Sequence, residues 1–239
     1  MTEDRMTEDR MTRAPAVVMV PGLGLDARAW RRVDAGLRPA RSHVVLLPTL
    51  GRRPWAGEAL DVASQAGRLL DELGRMSLGA AVLVGHSASC PVVVEAALRT
   101  RDVLGLVLLG PVTDPRAATW PRMLGQWTRT AVHERPWEGP ELVPQYARTG
   151  VAGMVRGMTA IRLYRTDHAI ERLQAPVLAL RGETDRIADS AWLDALGRAG
   201  SGVVTVPGGA HMLPLTHPDV VVSAIRQVAA VGEAGRGSS

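Results

Sequence analysis

The chain has 239 residues, of which 46% are hydrophobic, and its formal net charge is +4. This length suits one α/β domain with room for an inserted lobe, and no apolar run reaches the ~18 residues of a transmembrane helix, so we expect no membrane partner. All 28 basic residues are arginines scattered along the chain, which favours a solvated charged surface over a nucleic-acid-binding stripe.

The two ends of the chain differ in composition from the rest. Residues 1–13 form a charged tandem repeat (MTEDRMTEDRMTR) with no apolar segment, so they are not typical of a secretory signal, and we predict a disordered tail. Residues 233–239 (EAGRGSS) are predicted to be a second disordered tail. The single cysteine, Cys90, excludes an internal disulfide and fits a reducing cytoplasm.

Apolar runs alternate with amphipathic stretches between these tails, a pattern typical of βαβ units and a parallel sheet. Six parallel strands are predicted at residues 16–20, 43–47, 80–84, 103–109, 177–180 and 203–206. Helices are predicted at residues 26–38, 58–73, from about 88 onward, 189–198 and 218–231. Asp26 is the expected N-cap of the first helix. The fold class is therefore α/β, with helices flanking one sheet.

The alternation of strands and helices stops after Gly110. Residues 113–170 show no strand pattern, but they contain helix-like stretches and the tryptophans Trp120, Trp127 and Trp137. We predict an inserted helical cap here. The α/β core domain then comprises residues 14–112 and 171–232. The tryptophans either line an apolar pocket or form the core of the lobe itself, and the sequence leaves both readings open.

One strand-to-helix corner carries a serine among small residues, GHSAS at residues 85–89. A nucleophile elbow needs small residues there, because the turn is tight and the next helix packs close to the strand. The elbow pattern ends in glycine, and Ser89 takes its place here. Ser87 is therefore the candidate nucleophile, and an ordinary small-residue turn is the alternative reading.

A second glycine-containing turn, VPGLGLDARAW at residues 20–30, follows the first predicted strand. An oxyanion hole needs two N–H donors aimed at one point. The backbone N–H groups of Leu23 and Ala88 are the two candidates, the latter at the positive end of a helix. The candidate pocket residues are Gly22, His86, Trp120, Trp127, Trp137 and Met212.

A serine nucleophile needs a base to take its proton and a carboxylate to orient that base. Asp185 follows one predicted strand, and His211 lies in a glycine-rich loop after the last one. Ser87, Asp185 and His211 each follow a strand, so all three are expected at the carboxyl edge of the sheet, where ligands bind. They are the candidate catalytic residues.

Other residues compete for these roles. Asp114 and Glu183 are alternative acids, and His217 is an alternative base, although its position before Pro218 is more typical of a residue flanking a helix. Cys90 lies one turn beyond Ser87 and is interpreted as core packing rather than as a thiol nucleophile. No pair of residues has metal-ligand spacing, so we expect no metal site.

Over residues 14–232 the sequence resembles the α/β-hydrolase family. PGLG at residues 21–24 is similar to the family's oxyanion loop, with Pro21 where histidine is common, and GHSAS is similar to its elbow. GETDRI at 182–187 and PGGAHMLPLTHP at 207–218 resemble the loops of the catalytic acid and histidine. The family usually begins with two further strands, so the sheet is expected to be trimmed. The resemblance implies the α/β-hydrolase fold, a Ser-His-Asp mechanism and no cofactor, but no particular substrate.

The expected function is that of a cytoplasmic serine hydrolase that cleaves a carboxylic ester, lactone or thioester of an apolar small molecule. One alternative is a hydrolase of a C–C bond in a diketone. Another is a non-catalytic protein that keeps the fold and binds a ligand. The sequence does not predict the oligomeric state.

Overall fold

The computed structural model describes residues 15–134, 137 and 139–237 of the chain. Its strands, in chain order, are β1 (Ala16–Val20), β2 (Ser42–Val44), β3 (Leu47–Pro48), β4 (Gly51–Arg52), β5 (Ala81–His86), β6 (Val103–Leu109), β7 (Val177–Gly182) and β8 (Gly202–Val206). Six of them form a central sheet in the order β2-β1-β5-β6-β7-β8, and every neighbouring pair is parallel. The prediction of six parallel strands with flanking helices is confirmed.

The helices pack on both faces of this sheet. They are α1 (Arg31–Leu37), α2 (Val62–Met76), α3 (Cys90–Ala97), α4 (Trp120–Ala131), α5 (Gly139–Ile161), α6 (Thr166–Ile170), α7 (Ser190–Arg198), α8 (Leu213–Thr216) and α9 (Pro218–Arg236). Helices α1 and α9 contribute to the hydrophobic core on one face. Helices α2, α3 and α7 contribute to the core on the other.

The first strand shows why its sequence is apolar at every position. Val17 and Met19 belong to the core under α1 and α9, whereas Val18 and Val20 belong to the core under α2 and α3. Successive side chains of a strand point to opposite faces of the sheet, and both faces are covered here. An unbroken apolar run is therefore what a central parallel strand requires.

Several element boundaries differ from those predicted. The strand expected at 43–47 ends at Val44, and the short parallel pair β3–β4 follows it. The helix expected from residue 58 begins at Val62, because the Asp61 carboxylate accepts a hydrogen bond from the Ser64 N–H and caps it. Asp26 is an N-cap as predicted, but the turn that it caps is a 3-10 helix.

The C-terminal end is helical farther than predicted. Helix α9 extends to Arg236, so residues 233–236 are not a disordered tail. The helix passes so close to the start of β6 that a Cβ atom at Gly232 would lie 2.1 Å from the carbonyl oxygen of Leu104. Farther along the same helix, the Arg236 guanidinium donates a hydrogen bond to the Arg101 carbonyl. The tail predicted at residues 1–13 lies outside the described residues.

The insertion between β6 and β7, residues 113–170, is helical in its described part and contains α4, α5 and α6. Gly150 interrupts α5 with a φ of 71° and a ψ of 155°. A Cβ atom at Gly24, in the loop after β1, would lie 2.7 Å from Tyr146 and 3.6 Å from Met154. Both sides of this interruption therefore pack over the loop that follows the first strand.

Among the described helices, none combines the length and the apolar composition that crossing a lipid bilayer requires.

Candidate active site

Ser87 occupies the sharp corner between β5 and α3. Its φ of 54° lies in the left-handed region, which is costly for a residue with a side chain. A Cβ atom at Gly85 would lie 2.8 Å from Val93 Cγ2 and 3.0 Å from Cys90 Cα, so the strand and the helix leave no room for one. The tight turn predicted around this serine is present, and the glycine before it has a packing reason.

Ser89 connects this corner to the neighbouring strand. Its hydroxyl accepts a hydrogen bond from the His86 N–H at 2.8 Å and donates one to the Val20 carbonyl at 2.8 Å. Val20 is the last residue of β1, directly before the glycine-containing loop. The residue that departs from the elbow pattern thus links the two segments that carry Ser87 and Leu23.

The loop after β1 lies against the serine corner. A Cβ atom at Gly22 would lie 2.8 Å from His86 Nδ1 and 3.3 Å from Ser87 Cβ. Within the described residues, the Leu23 N–H has no hydrogen-bond acceptor. Ala88 lies in the first turn of the helical segment after Ser87, where N–H groups have no helical acceptor. The two predicted oxyanion donors therefore belong to adjacent segments.

His211 and Asp185 form a buried hydrogen-bonded pair. His211 Nδ1 lies 2.8 Å from Asp185 Oδ2, and the Asp185 side chain is fully buried. The other carboxylate oxygen accepts hydrogen bonds from the N–H groups of Ile187, at 2.8 Å, and Ala188, at 3.1 Å. Both oxygens of the Asp185 carboxylate thus have hydrogen-bond partners, which fix the orientation of the acid.

The charges of this pair shift both pKa values. Burial alone would raise the pKa of Asp185, but the charge of protonated His211 and the hydrogen bonds lower it below its ordinary value. Burial alone would lower the pKa of His211, but the Asp185 carboxylate, with a smaller contribution from Glu134, raises it. The acid therefore stays ionised, and the imidazole is made more basic.

The competing residues have other hydrogen-bond partners or are buried in the core. The Asp114 carboxylate pairs with the Arg116 guanidinium at 2.6 Å. Glu183 accepts a hydrogen bond from the Gly208 N–H. His217 Nδ1 contacts Thr216 Oγ1, at the start of α9. Burial raises the pKa of the Cys90 thiol, as expected for a core residue.

His86 is buried beneath the site. Its Nε2 lies 3.1 Å from the backbone carbonyl of His211, and the centroids of the two rings are 5.0 Å apart. Burial and the nearby charge of protonated His211 lower the pKa of His86 to about 3. A neutral His86 therefore supports the His211 loop and forms part of the floor of the adjoining cavity.

Ser87 and His211 line the same cavity, which has a volume of about 710 Å³. Gly22, His86 and Met212 line it as well, and so do Trp120 and Trp127, which are 41% and 48% exposed and therefore do not form the core of the insertion. The remaining wall is mostly apolar and includes Leu23, Leu25, Val112, Met123, Leu124, Met154, Val155, Met158 and Ile187.

Trp137 is the exception among the predicted pocket residues. It is not among the residues that line the cavity, and its ring packs against the guanidinium of Arg32, whose carbon lies 5.0 Å from the ring centroid. The side chain lies against α1 of the core domain. The prediction that Trp137 lines the pocket is wrong, because its ring packs on Arg32 instead.

Glu134 and Gly110 also contact the His211 region, and the sequence did not single out either one. The Glu134 carboxylate, in the insertion, accepts hydrogen bonds from the N–H groups of His211, at 2.8 Å, and Met212, at 3.3 Å. A Cβ atom at Gly110, whose φ is 52°, would lie 2.7 Å from His211 Cε1. In the sequence, Gly110 is recognisable only by its position at the end of a predicted strand. No sequence pattern indicates a role for Glu134.

The structure contains no group of three or more metal-ligating side chains in the part of the chain that it describes.

Comparisons with known proteins agree with this architecture. The sequence profile of the alpha/beta hydrolase family matches residues 17–224. A search of curated proteins gives no significant match.

Solved structures share the fold at low identity. A hydrolase from Oleispira antarctica is 13% identical with a TM-score of 0.75, covering 90% of this chain and 91% of the other. Est816, described as an N-acyl homoserine lactone degrading enzyme, is 15% identical with a TM-score of 0.71, covering 89% and 92%. The enol-lactonase from Burkholderia xenovorans LB400 is 18% identical with a TM-score of 0.71, covering 91% and 92%.

These identities establish a shared fold and leave the substrate open. The family profile spans most of the chain, including the serine corner and the loops of Asp185 and His211. The chain therefore belongs to the alpha/beta hydrolase family.

Proposed function

We propose that the protein is a serine hydrolase that cleaves a carboxylic ester, lactone or thioester of an apolar small molecule through an acyl-enzyme. The observation that carries this proposal is the buried His211–Asp185 pair, which opens with Ser87 onto one largely apolar cavity. A nucleophile, a base and an orienting acid are the groups that acyl transfer needs.

In the first half-reaction, the Ser87 oxygen attacks the acyl carbon while its proton moves to His211 Nε2. The Asp185 carboxylate holds the Nδ1 proton, so Nε2 presents its lone pair, and the charge of the carboxylate stabilises the imidazolium that forms. The tetrahedral intermediate collapses when His211 returns the proton to the leaving oxygen or sulfur. The alcohol or thiol departs, or stays attached if the substrate is a lactone, and the acyl group remains on Ser87.

In the second half-reaction, His211 takes a proton from water, and the resulting nucleophile attacks the acyl-enzyme. Collapse of the second intermediate returns the proton to Ser87 and releases the acid. The N–H groups of Leu23 and Ala88 are assigned to the oxyanion in both halves, since they belong to the two adjacent segments at Ser87.

Among the described residues, Ser87 and His211 do not form a hydrogen bond with each other, although both line the cavity. Catalytic hydrogen bonds are often long in unliganded enzymes and tighten when substrate binds. We therefore assign the closure of this contact to substrate binding. The insertion, which supplies much of the cavity wall, is assigned the role of a specificity-setting cap.

The lactone-degrading activities named for two structural neighbours support the choice of ester and lactone bonds. Hydrolysis of a panel of apolar esters, thioesters and lactones by wild type and Ser87→Ala tests the proposal. Wild type should release acid, and Ser87→Ala should lose turnover on the order of 10⁶-fold.

Ligand binding provides the control for this panel. Ser87→Ala should still show a durable increase in melting temperature with an ester that wild type consumes. If wild type consumes no member of the panel but is itself stabilised by one, the protein is a binding module and the proposed function is wrong. Activity that persists in Ser87→Ala would also contradict it.

A further inference from the structure

One charged side chain in the wall of the cavity has no acidic partner. Apart from its histidines and Tyr146, the cavity is lined by two ionisable side chains, Asp114 and Arg162, within the described part of the chain. The Asp114 carboxylate is bound by Arg116 through Nε and Nη2 at 3.0 and 2.6 Å, so its charge is compensated. Arg162 has no carboxylate within 4.0 Å among the residues that the structure describes.

The guanidinium of Arg162 is only partly used by the protein. Its Nη1 donates a hydrogen bond to the Ala118 carbonyl at 2.8 Å. Its Nε is buried and has no hydrogen-bond partner among the described residues. Because Nε is buried, water does not satisfy it either, and an unsatisfied buried donor on a cation is costly. Nη2 also has no acceptor among the described residues and is not buried, so it is the guanidinium donor that remains accessible.

The position of Arg162 relates this feature to the substrate. It directly follows α5, and its contact with Ala118 holds it beside the first residues of the insertion. Arg162 lines the same cavity as Ser87 and His211, and so do Val112, Thr113 and Ala117. Arg162 and the serine corner therefore line one cavity, and a molecule that fills it contacts both residues.

A carboxylate is the group that a partly free guanidinium binds most strongly, because a hydrogen bond between opposite charges is about twice as strong as one between neutral groups. We propose that Arg162 is an anion subsite, and that the preferred substrates are apolar esters, thioesters or lactones that carry a second, free carboxylate. This inference rests on the proposed function, because it concerns a second group on the molecule that Ser87 attacks.

The alternative role for Arg162 is structural, since its Nη1 contact joins the start and the end of the insertion. The two roles predict different outcomes for a matched pair of substrates. We choose the para-nitrophenyl ester of hexanoic acid and the mono-para-nitrophenyl ester of hexanedioic acid, with shorter and longer members of both series. The ratio of kcat/KM between the acidic and the neutral ester does not depend on the folded fraction of a variant.

Wild type should prefer the acidic ester at one chain length at least. Arg162→Gln should lower the acidic-to-neutral ratio by about 10- to 100-fold, the range expected for a lost charge-assisted hydrogen bond. Arg162→Lys should retain part of the preference, because it keeps the charge. Arg129→Gln removes an exposed arginine of α4 that does not line the cavity, and should leave the ratio unchanged.

Equal use of both esters by wild type at every length, or an equal loss for both in Arg162→Gln, would overturn the anion subsite while leaving the proposed function intact. Binding to Ser87→Ala, measured by titration calorimetry, separates the two failures if no ester is hydrolysed. The monoester should then bind more tightly than the neutral ester, and Arg162→Gln in the same background should abolish the difference. No difference in affinity would overturn the subsite independently of turnover.

Discussion

The hydroxyl of Ser89 is a small group with two buried partners. Replacing Ser89 with alanine removes the hydrogen bond that its hydroxyl accepts from the His86 N–H and the one that it donates to the Val20 carbonyl. The free energy of unfolding should fall by about 1–3 kcal/mol. The value of kcat should fall as well, because the strand that leads into Leu23 loses one of its contacts with the serine corner. Denaturant unfolding and ester hydrolysis measure the two effects.

Ser190→Ala is the control for this prediction, since Ser190 is exposed at the start of α7. It should change neither quantity measurably. If Ser89→Ala matched wild type in both stability and kcat, the link between the two segments would have no energetic importance.

The pH dependence of activity should report the ionisation of His211. Only the neutral imidazole can accept the serine proton, so kcat/KM should rise with pH through the pKa of His211 in the free enzyme. Because Asp185 and Glu134 raise that pKa, the midpoint should lie above about 6.5. A pH–rate profile measured with a neutral ester tests this. A flat profile between about pH 5 and about pH 9 would exclude a histidine base.

Glu134→Gln refines the test of the base. The amide oxygen still offers an acceptor to the His211 N–H, but the negative charge is gone. The midpoint should therefore move to lower pH with the loop still in place. A midpoint that moved upward would contradict the assigned electrostatic effect.

The choice of acid makes a separate prediction. Asp185→Asn keeps the oxygen that binds the N–H groups of Ile187 and Ala188, but presents an amide to His211 and favours the wrong tautomer. The value of kcat should fall on the order of 10⁴-fold. Asp114→Asn should cost far less, because the Asp114 carboxylate pairs with Arg116. The reverse ranking, measured with one ester, would move the acid to the strand that precedes the insertion.

At the scale of secondary-structure elements, the tryptophans of α4 should set specificity and leave the chemistry unchanged. Trp120→Ala and Trp127→Ala enlarge the cavity, so the ratio of kcat/KM between long and short acyl chains should change by about tenfold or more. Trp137→Ala is the matched control, since that ring packs on Arg32 outside the cavity. The measurement is kcat/KM of the three variants for esters of increasing acyl chain length. A change in chain-length preference in Trp137→Ala alone would contradict the assignment of specificity to Trp120 and Trp127.

The boundaries of the elements were harder to predict than their type. Strands such as β1 and β6 are buried on both faces, so their sequences are apolar throughout and recognisable. The start of α2 depends on one side-chain cap, at Asp61, and the end of α9 on the close contact between Gly232 and Leu104. The cap depends on the position of one side chain, and the helix–strand contact joins segments that are distant in sequence. The local pattern of apolar and polar residues specifies neither of them.

At the scale of the whole molecule, the parallel sheet explains why much of the site was predictable. Ser87, Asp185 and His211 each follow a strand, and parallel strands bring their carboxyl ends to one edge. Glu134 and Arg162 were not predicted, because they lie in the helical insertion, whose path over the sheet no periodicity specifies. The error at Trp137 has the same origin, since the composition of the insertion does not indicate which face each aromatic ring occupies.

The central claim is that Ser87 is the nucleophile, and covalent labelling tests it most directly. Wild type treated with a fluorophosphonate should gain the mass of one adduct in intact-protein mass spectrometry, and peptide mapping should place it on Ser87. Prior incubation with a slowly hydrolysed ester should block labelling, and Ser87→Ala should gain no adduct. An adduct on another residue, or ester hydrolysis by a wild-type protein that the probe never labels, would contradict the account.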